Sequence, residues 1–213
     1  MQEIEDYKFL EKLTLEMGHR GAKIIPAGEV VLEDRVRLKC MTGCPHYGQC
    51  LRCPPYAPSV DEFRKMLNDY KFAMIIKVKP LDMSEELKLK YKMENKGKKS
   101  VRLWNNYQDV DKISSMVFQD FSDHYKNSLM DLLELERAAF NRGYALATAF
   151  FGGKCMLCEE CDVKTGICRN PMIARFAAEA VGINLIKTAE NAGMELKFNS
   201  ESDPTPMAIL LID

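Results

Sequence analysis

The chain has 213 residues, of which 46 % are hydrophobic and 29 % charged, and its formal charge is −1. That length and balance suit one large domain or two small ones with an ordinary core, and they exclude the broad basic field with which nucleic-acid and anionic-lipid binders attract their partners. No apolar stretch reaches the roughly 18 residues of a membrane span, and the acidic, amphipathic start MQEIEDYKFLEKL lacks the basic and apolar regions of a secretory signal, so the expected compartment is the cytoplasm, where thiols stay reduced.

Residues 3–17 predict an amphipathic helix, with Ile4, Phe9, Leu13 and Met17 near helical spacing and Gly18 and Gly21 at its end. Residues 22–26 predict a short strand, and 30–39 a second extended segment. Pro54, Pro55 and Pro58 hold the chain extended after Cys53. Ser59-Val-Asp-Glu62 has the form of a capping box and opens a helix with Phe63, Met66, Leu67 and Tyr70 on one face. Residues 72–78 predict a buried strand.

The stretch 82–105 changes character. Lys88, Lys90, Lys92, Lys96, Lys98, Lys99 and Arg102 crowd into it, which predicts a charged surface insertion; docking of an acidic partner protein is its functional alternative. A long helix is expected next, strongest over 123–142, with Leu129, Leu132, Leu133, Glu136 and Phe140 facing the core and Gly143 ending it. Residues 144–151 predict a buried strand. Pro171 opens a helix that Gly182 closes, residues 184–192 form a short helix, and strands are expected at 195–198 and 207–212. Mostly alternating helices and strands predict an α/β fold, a mixed sheet flanked by helices, as a single domain over residues 1–213 with two cysteine-rich metal-binding loops.

The eight cysteines fall into two groups of four. The first is Cys40, Cys44, Cys50 and Cys53, spaced Cys-x3-Cys-x5-Cys-x2-Cys. The second is Cys155, Cys158 and Cys161, spaced Cys-x2-Cys-x2-Cys, with Cys168 after a longer gap. Four thiolates saturate one zinc ion or one iron–sulfur cluster, so two metal sites are expected. A tight Cys-x2-Cys-x2-Cys loop suits a cubane, which needs each thiolate on a different iron; zinc sites more often use two separate knuckles. Gly152 and Gly153 are expected to let the backbone approach and to offer amides to cluster sulfur. A mixed arrangement, Cys50 and Cys53 joining Cys155 and Cys158, stays open.

His46 is a further candidate ligand, a proton donor or a plain loop residue, and Tyr47 is expected to pack over the loop or bond a sulfur. His19 and His124 read as solvated surface. Arg52, Arg169 and Arg175 would offset thiolate charge or bind an anionic substrate, with ordinary surface arginines as the alternative. Glu136-Arg137 and Glu179 are expected to anchor the loops by ion pairs. No Walker loop, dinucleotide fingerprint, nucleophile elbow or His-Glu-x-x-His occurs.

The motifs Lys39-Cys40, Gly43-Cys44-Pro45, Tyr47-Gly48, Cys53-Pro54-Pro55, Glu136-Arg137, Gly143-Tyr144, Gly153-Lys154-Cys155, Cys168-Arg169 and Gly182-Ile183, with Cys158, Cys161, Pro171, Arg175 and Glu179, resemble a family of predicted metal-binding proteins, the domain of unknown function 2284, found mainly in anaerobic bacteria and archaea. The resemblance runs from about residue 20 to the C-terminus. Where the family pattern reads Pro-Ser-Met-Glu, this chain has Phe176-Ala177-Ala178-Glu179. The resemblance implies that the eight cysteines ligate metal. The expected function is electron transfer to or from a redox partner protein through two 4Fe–4S clusters in anaerobic metabolism. The alternatives are an enzyme with an open iron site acting on a small substrate, Cys168 being the weakest ligand, and a zinc-stabilised binding module. No nucleic-acid or membrane partner is expected.

Overall fold

The computed structural model describes residues 3–80, 113–194 and 206–213; the charged stretch 82–105 and the expected strand at 195–198 lie outside them. Four apolar runs form the strands β1 (Gly21–Pro26), β2 (Phe72–Lys77), β3 (Thr148–Phe151) and β4 (Met207–Ile212). Five α-helices accompany them among the described residues: α1 (Lys8–Glu16), α2 (Asp34–Gly43), α3 (Val60–Leu67), α4 (Ile113–Phe140) and α5 (Leu185–Asn191).

The strands lie in the order β1-β2-β4-β3, and every neighbouring pair is antiparallel. The expected mixed sheet is therefore corrected to an antiparallel one. Alternation of helices and strands along a sequence says that helices cover the sheet; it does not fix the end from which each strand enters.

The interiors of β2 and β4 are apolar because both faces of the sheet are covered, while β1 at the edge exposes Lys23. Ile25, Ala73, Ile75, Phe150, Ile209 and Leu211 face one way, against Phe63 and Leu67 of α3 and Leu185 and Ala189 of α5. Ile24, Met74, Ile76, Ala149, Leu210 and Ile212 face the other, against Leu10 of α1 and Leu129, Leu132 and Leu135 of α4. The period of two sends alternate residues to opposite layers. Each fully buried leucine contributes about 2 kcal/mol.

The capping box holds: Ser59 Oγ accepts from Glu62 N (3.2 Å), and Glu62 Oε2 accepts from Ser59 N (2.8 Å). Met66, expected on the core face of α3, is exposed, and Val60 is buried in its stead. Phe140 is likewise exposed; the buried face of α4 runs through Tyr125, Leu129, Leu132, Leu135 and Ala139, the spacing of a true 3.6-residue period.

Three segments depart from expectation. Residues 34–39, expected to be extended, belong to the helix α2 (Asp34–Gly43). Only Leu32 makes a bridge there, to Ile183; beyond it Arg35, Arg37, Leu38, Lys39 and Met41 are good helix formers, and Asp34 sits favourably in the first turn. None of α2 is buried, so no periodicity marks it. The strand expected at 144–151 shortens to Thr148–Phe151, because Gly143 (φ 92°) turns the chain and Ala139 O accepts from Tyr144 N (3.1 Å). The helix expected after Pro171 is absent from residues 171–178. Phe176 O accepts from Phe151 N (3.2 Å) and Ala177 N donates to Arg52 O (3.5 Å), so these groups serve β3 and the first cysteine loop. A 3-10 turn, Glu179–Val181, follows and Gly182 closes it at φ 87°.

His19 and His124 are not solvated surface. His19 is buried, its Nδ1 accepts from Lys79 N (3.2 Å), and its Nε2 lies 3.6 Å from Asp131 Oδ2. His124 Nε2 is enclosed with no hydrogen-bond partner among the described residues. Gly18 (φ 84°) turns the chain back after α1, which tucks His19 beside α4. Burial pushes the pKa of both imidazoles down.

Candidate metal centre

Helix α2 delivers the first cysteine group: Cys40 lies in its last turn and Cys44 at its C-cap. The loop that follows is closed by its own backbone. Tyr47 N donates to Cys44 O (3.2 Å), Gly48 N to Pro54 O (3.1 Å), Cys53 N to Cys50 O (3.0 Å) and Ala57 N to Cys53 O (3.1 Å). Arg37 of α2 donates to Ala57 O and Pro58 O, which ties the helix to the end of the loop.

The second group begins where β3 ends. Gly152 N donates to Met207 O (3.1 Å). A Cβ at Gly152 would stand 3.2 Å from that carbonyl and 3.3 Å from Glu179 Oε1, so the close approach needs glycine. Gly153 N–H bonds to the Glu179 carboxylate, whose pKa burial pushes up. The amides of Gly152 and Gly153 thus serve β4 and Glu179, which corrects the expectation that they serve sulfur. Glu179 anchors the loop through that amide and not by an ion pair, and its Oε2 is enclosed with no partner among the described residues.

The segment beyond Cys168 is held by an ion pair. Arg175 Nε and Nη2 donate to Glu136 Oε1 (2.7 Å) and Oε2 (2.5 Å), and Ala149 N donates to Glu136 Oε1 (2.7 Å). Glu136 is the expected anchor; Arg137 instead pairs along α4 with Glu134. Arg169 donates to Glu160 O (3.2 Å) and lies 3.7 Å from Asp162. Arg52 stacks over the Phe176 ring at 5.1 Å.

These scaffolds bring the two cysteine groups together. Cys50, Cys155, Cys158, Cys161 and Cys168 line a single pocket, with Arg52 on its wall. Cys50 is its most enclosed sulfur-bearing residue, at 4 % exposure. Hydrogen bonds from the thiols of Cys155 and Cys53, and from the backbone of Arg52 and Cys155, hold Cys50 far below the usual thiol range. The same bonds to Cys50, with burial, push Cys155 and Cys53 up.

Cys161, raised by burial, accepts from Leu51 N (3.4 Å) and meets Cys50. Cys158 accepts from Asn170 Nδ2 (3.1 Å). Tyr125 of α4, stacked on Phe151 with ring centroids 5.0 Å apart, bonds to Cys155. Cys40 is raised by burial, then by Cys44 and Glu179, and Cys53 feels both Cys40 and Cys44.

His46 is half-buried, bonds to Gln49 and is pushed down by burial. Tyr47 is exposed, and the tyrosine bonded to a sulfur here is Tyr125. Sequence reasoning missed Tyr125, though a tyrosine on a buried helical face must find a partner for its hydroxyl. Asn170 and the Leu51 amide carried no signal in the sequence.

The donor set suits a metal group in its chemistry. It is all sulfur, the softest set a protein offers, which selects zinc or iron–sulfur clusters, and amides from the protein already point at its sulfurs, as the surroundings of ligated thiolates require. As the side chains stand, no three His, Cys, Asp or Glu among the described residues form a set that could hold a metal ion. No described helix is long and apolar enough to cross a membrane.

The sequence pattern of one protein family, described as Predicted metal-binding protein (DUF2284), matches residues 23–212. No curated protein and no solved structure matches the chain.

Proposed function

The chain belongs to the DUF2284 family of predicted metal-binding proteins, and from that premise we propose that it is a cytoplasmic iron–sulfur protein of anaerobic metabolism. It would hold two 4Fe–4S clusters on Cys40, Cys44, Cys50, Cys53, Cys155, Cys158, Cys161 and Cys168, and pass electrons to or from a partner enzyme. The observation that carries this reading is the convergence of the two groups on Cys50, which meets Cys53 of its own group and Cys155 and Cys161 of the other.

Clusters bound here would supply one-electron redox chemistry. The residues around them have defined tasks. Leu51 N and Asn170 Nδ2 donate to Cys161 and Cys158, which stabilises negative charge on sulfur and so raises a potential. Arg52, beside the pocket, adds a positive charge to the same end. Tyr125 fixes Cys155 from the core side. The Glu136–Arg175 pair and Glu179 hold the second loop against β3, limiting the reorganisation that accompanies a change of charge.

Contact between the two groups supports a short electron path between adjacent centres. The test is the metal and sulfide content of protein purified without oxygen, together with its Cys158→Ser variant. The reading predicts bound iron and acid-labile sulfide, with one cluster lost or converted in the variant. Unchanged iron in the variant, or zinc in place of iron, would refute it.

A further inference from the structure

We propose that the ligand sets cross the two sequence groups: Cys50 shares a site with the cysteines of the second group rather than with Cys40, Cys44 and Cys53. This rests on the metal-binding reading above and goes beyond it in saying which sulfurs share a site.

Spacing alone pairs Cys50 with Cys53. The fold gives Cys50 additional neighbours. Cys50 lines one pocket with Cys155 and Cys161 and interacts with both. The next residue, Leu51, donates its N–H to Cys161 Sγ (3.4 Å). One residue further, Arg52 O accepts from Ala177 N (3.5 Å). Three successive residues are thus tied to the segments around the second group. Cys50 also shares one pocket with Cys155, Cys158, Cys161 and Cys168.

Cys53 lies outside that lining; Cys50 acts on it first, and Cys40 and Cys44 act on it as well. Its contact with Cys50 marks where the two sets adjoin. Cys168 lines the same pocket as Cys50 and acts on Cys161.

The experiment uses oxygen-free protein reduced with dithionite, read by iron content and electron paramagnetic resonance. Cys50→Ser and Cys155→Ser should alter the same cluster signal, and Cys40→Ser should alter the other. The proposal is overturned if Cys50→Ser removes the Cys40 signal and leaves the Cys155 signal intact.

A second measurement needs no variant to fold. Metal-free wild-type protein is treated with diamide, which takes two electrons and two protons from a thiol pair to leave a disulfide, and the linked peptides are identified by mass. Linkage of Cys50 to Cys155 or Cys161 is expected; linkage only to Cys40, Cys44 or Cys53 overturns the assignment. Wild-type protein without iron would refute the iron–sulfur reading itself, and the diamide result would then decide the sulfur grouping alone.

Discussion

Replacing Arg175 by alanine should cost about 2–3 kcal/mol, and the structure sets that figure. The pair with Glu136 is bidentate, with both oxygens engaged. Its side chains are 19 % and 13 % exposed, so it lies between two limits. Removing one partner of a fully buried pair costs about 3–5 kcal/mol, and exposed pairs contribute about 0–1 kcal/mol. The Glu136 carboxylate would keep the Ala149 amide as partner, which places the loss below the buried limit. At roughly 2–4 °C per kcal/mol for a chain of this size, the midpoint should fall by about 4–12 °C. Glu136→Ala should cost about 1 kcal/mol more, because the Ala149 N–H then loses its acceptor. Urea titration followed by circular dichroism at matched metal content, with the double variant, gives the coupling between the two residues. A loss below about 0.5 kcal/mol for Arg175→Ala, or additive single variants, would refute the view that this pair clamps the second loop.

Gly182→Ala should cost about 2–5 kcal/mol, from about 1–2 for a left-handed alanine and about 1–3 for overpacking, since φ is 87° and the new Cβ would stand 2.7 Å from Val60 Cγ2; thermal melting within 1–2 °C of the parent would contradict this. Glu33 is held down to about 2, first by Arg35 and then by Lys187 and Asn184. Its folded value lies below its ordinary 4.5, so its stabilisation is present above that value and fades as pH falls toward about 2. The stability gap between the parent and Glu33→Gln should close over that window, and a pH-independent gap would refute the network. Tyr125→Phe keeps the stack on Phe151 but removes the hydroxyl from Cys155, and should cost about 1 kcal/mol while shifting the absorption or potential of the bound centre. An unaltered centre would mean that Tyr125 is only core.

The sheet and its helices were legible where burial imposes a strict period. β1, β2 and β4 are short apolar runs, and the Ser59–Glu62 box announces α3 by its own chemistry. Helix α2 was not legible, because an exposed helix has no apolar stripe to read. The segment after Pro171 was misread for the opposite reason. Its alanines favour a helix locally, but Phe176 O and Ala177 N are taken by Phe151 and Arg52, and tertiary partners override propensity. At the site, the eight cysteines were singled out as candidate ligands by type and spacing alone. Their convergence could not be found that way, since Cys50 and Cys155 are brought together by loops fastened at Gly152, Glu136 and Arg37, far apart in the chain. The burial of His19 was hidden because nothing in the sequence links it to Lys79 and Asp131.

The central claim is that this thiol network holds iron–sulfur clusters, and composition of the metal tests it most directly. Protein purified without oxygen should be brown, with about eight irons and eight sulfides per chain for two cubanes. A colourless protein with about two zinc ions would contradict the account and make the same cysteines structural.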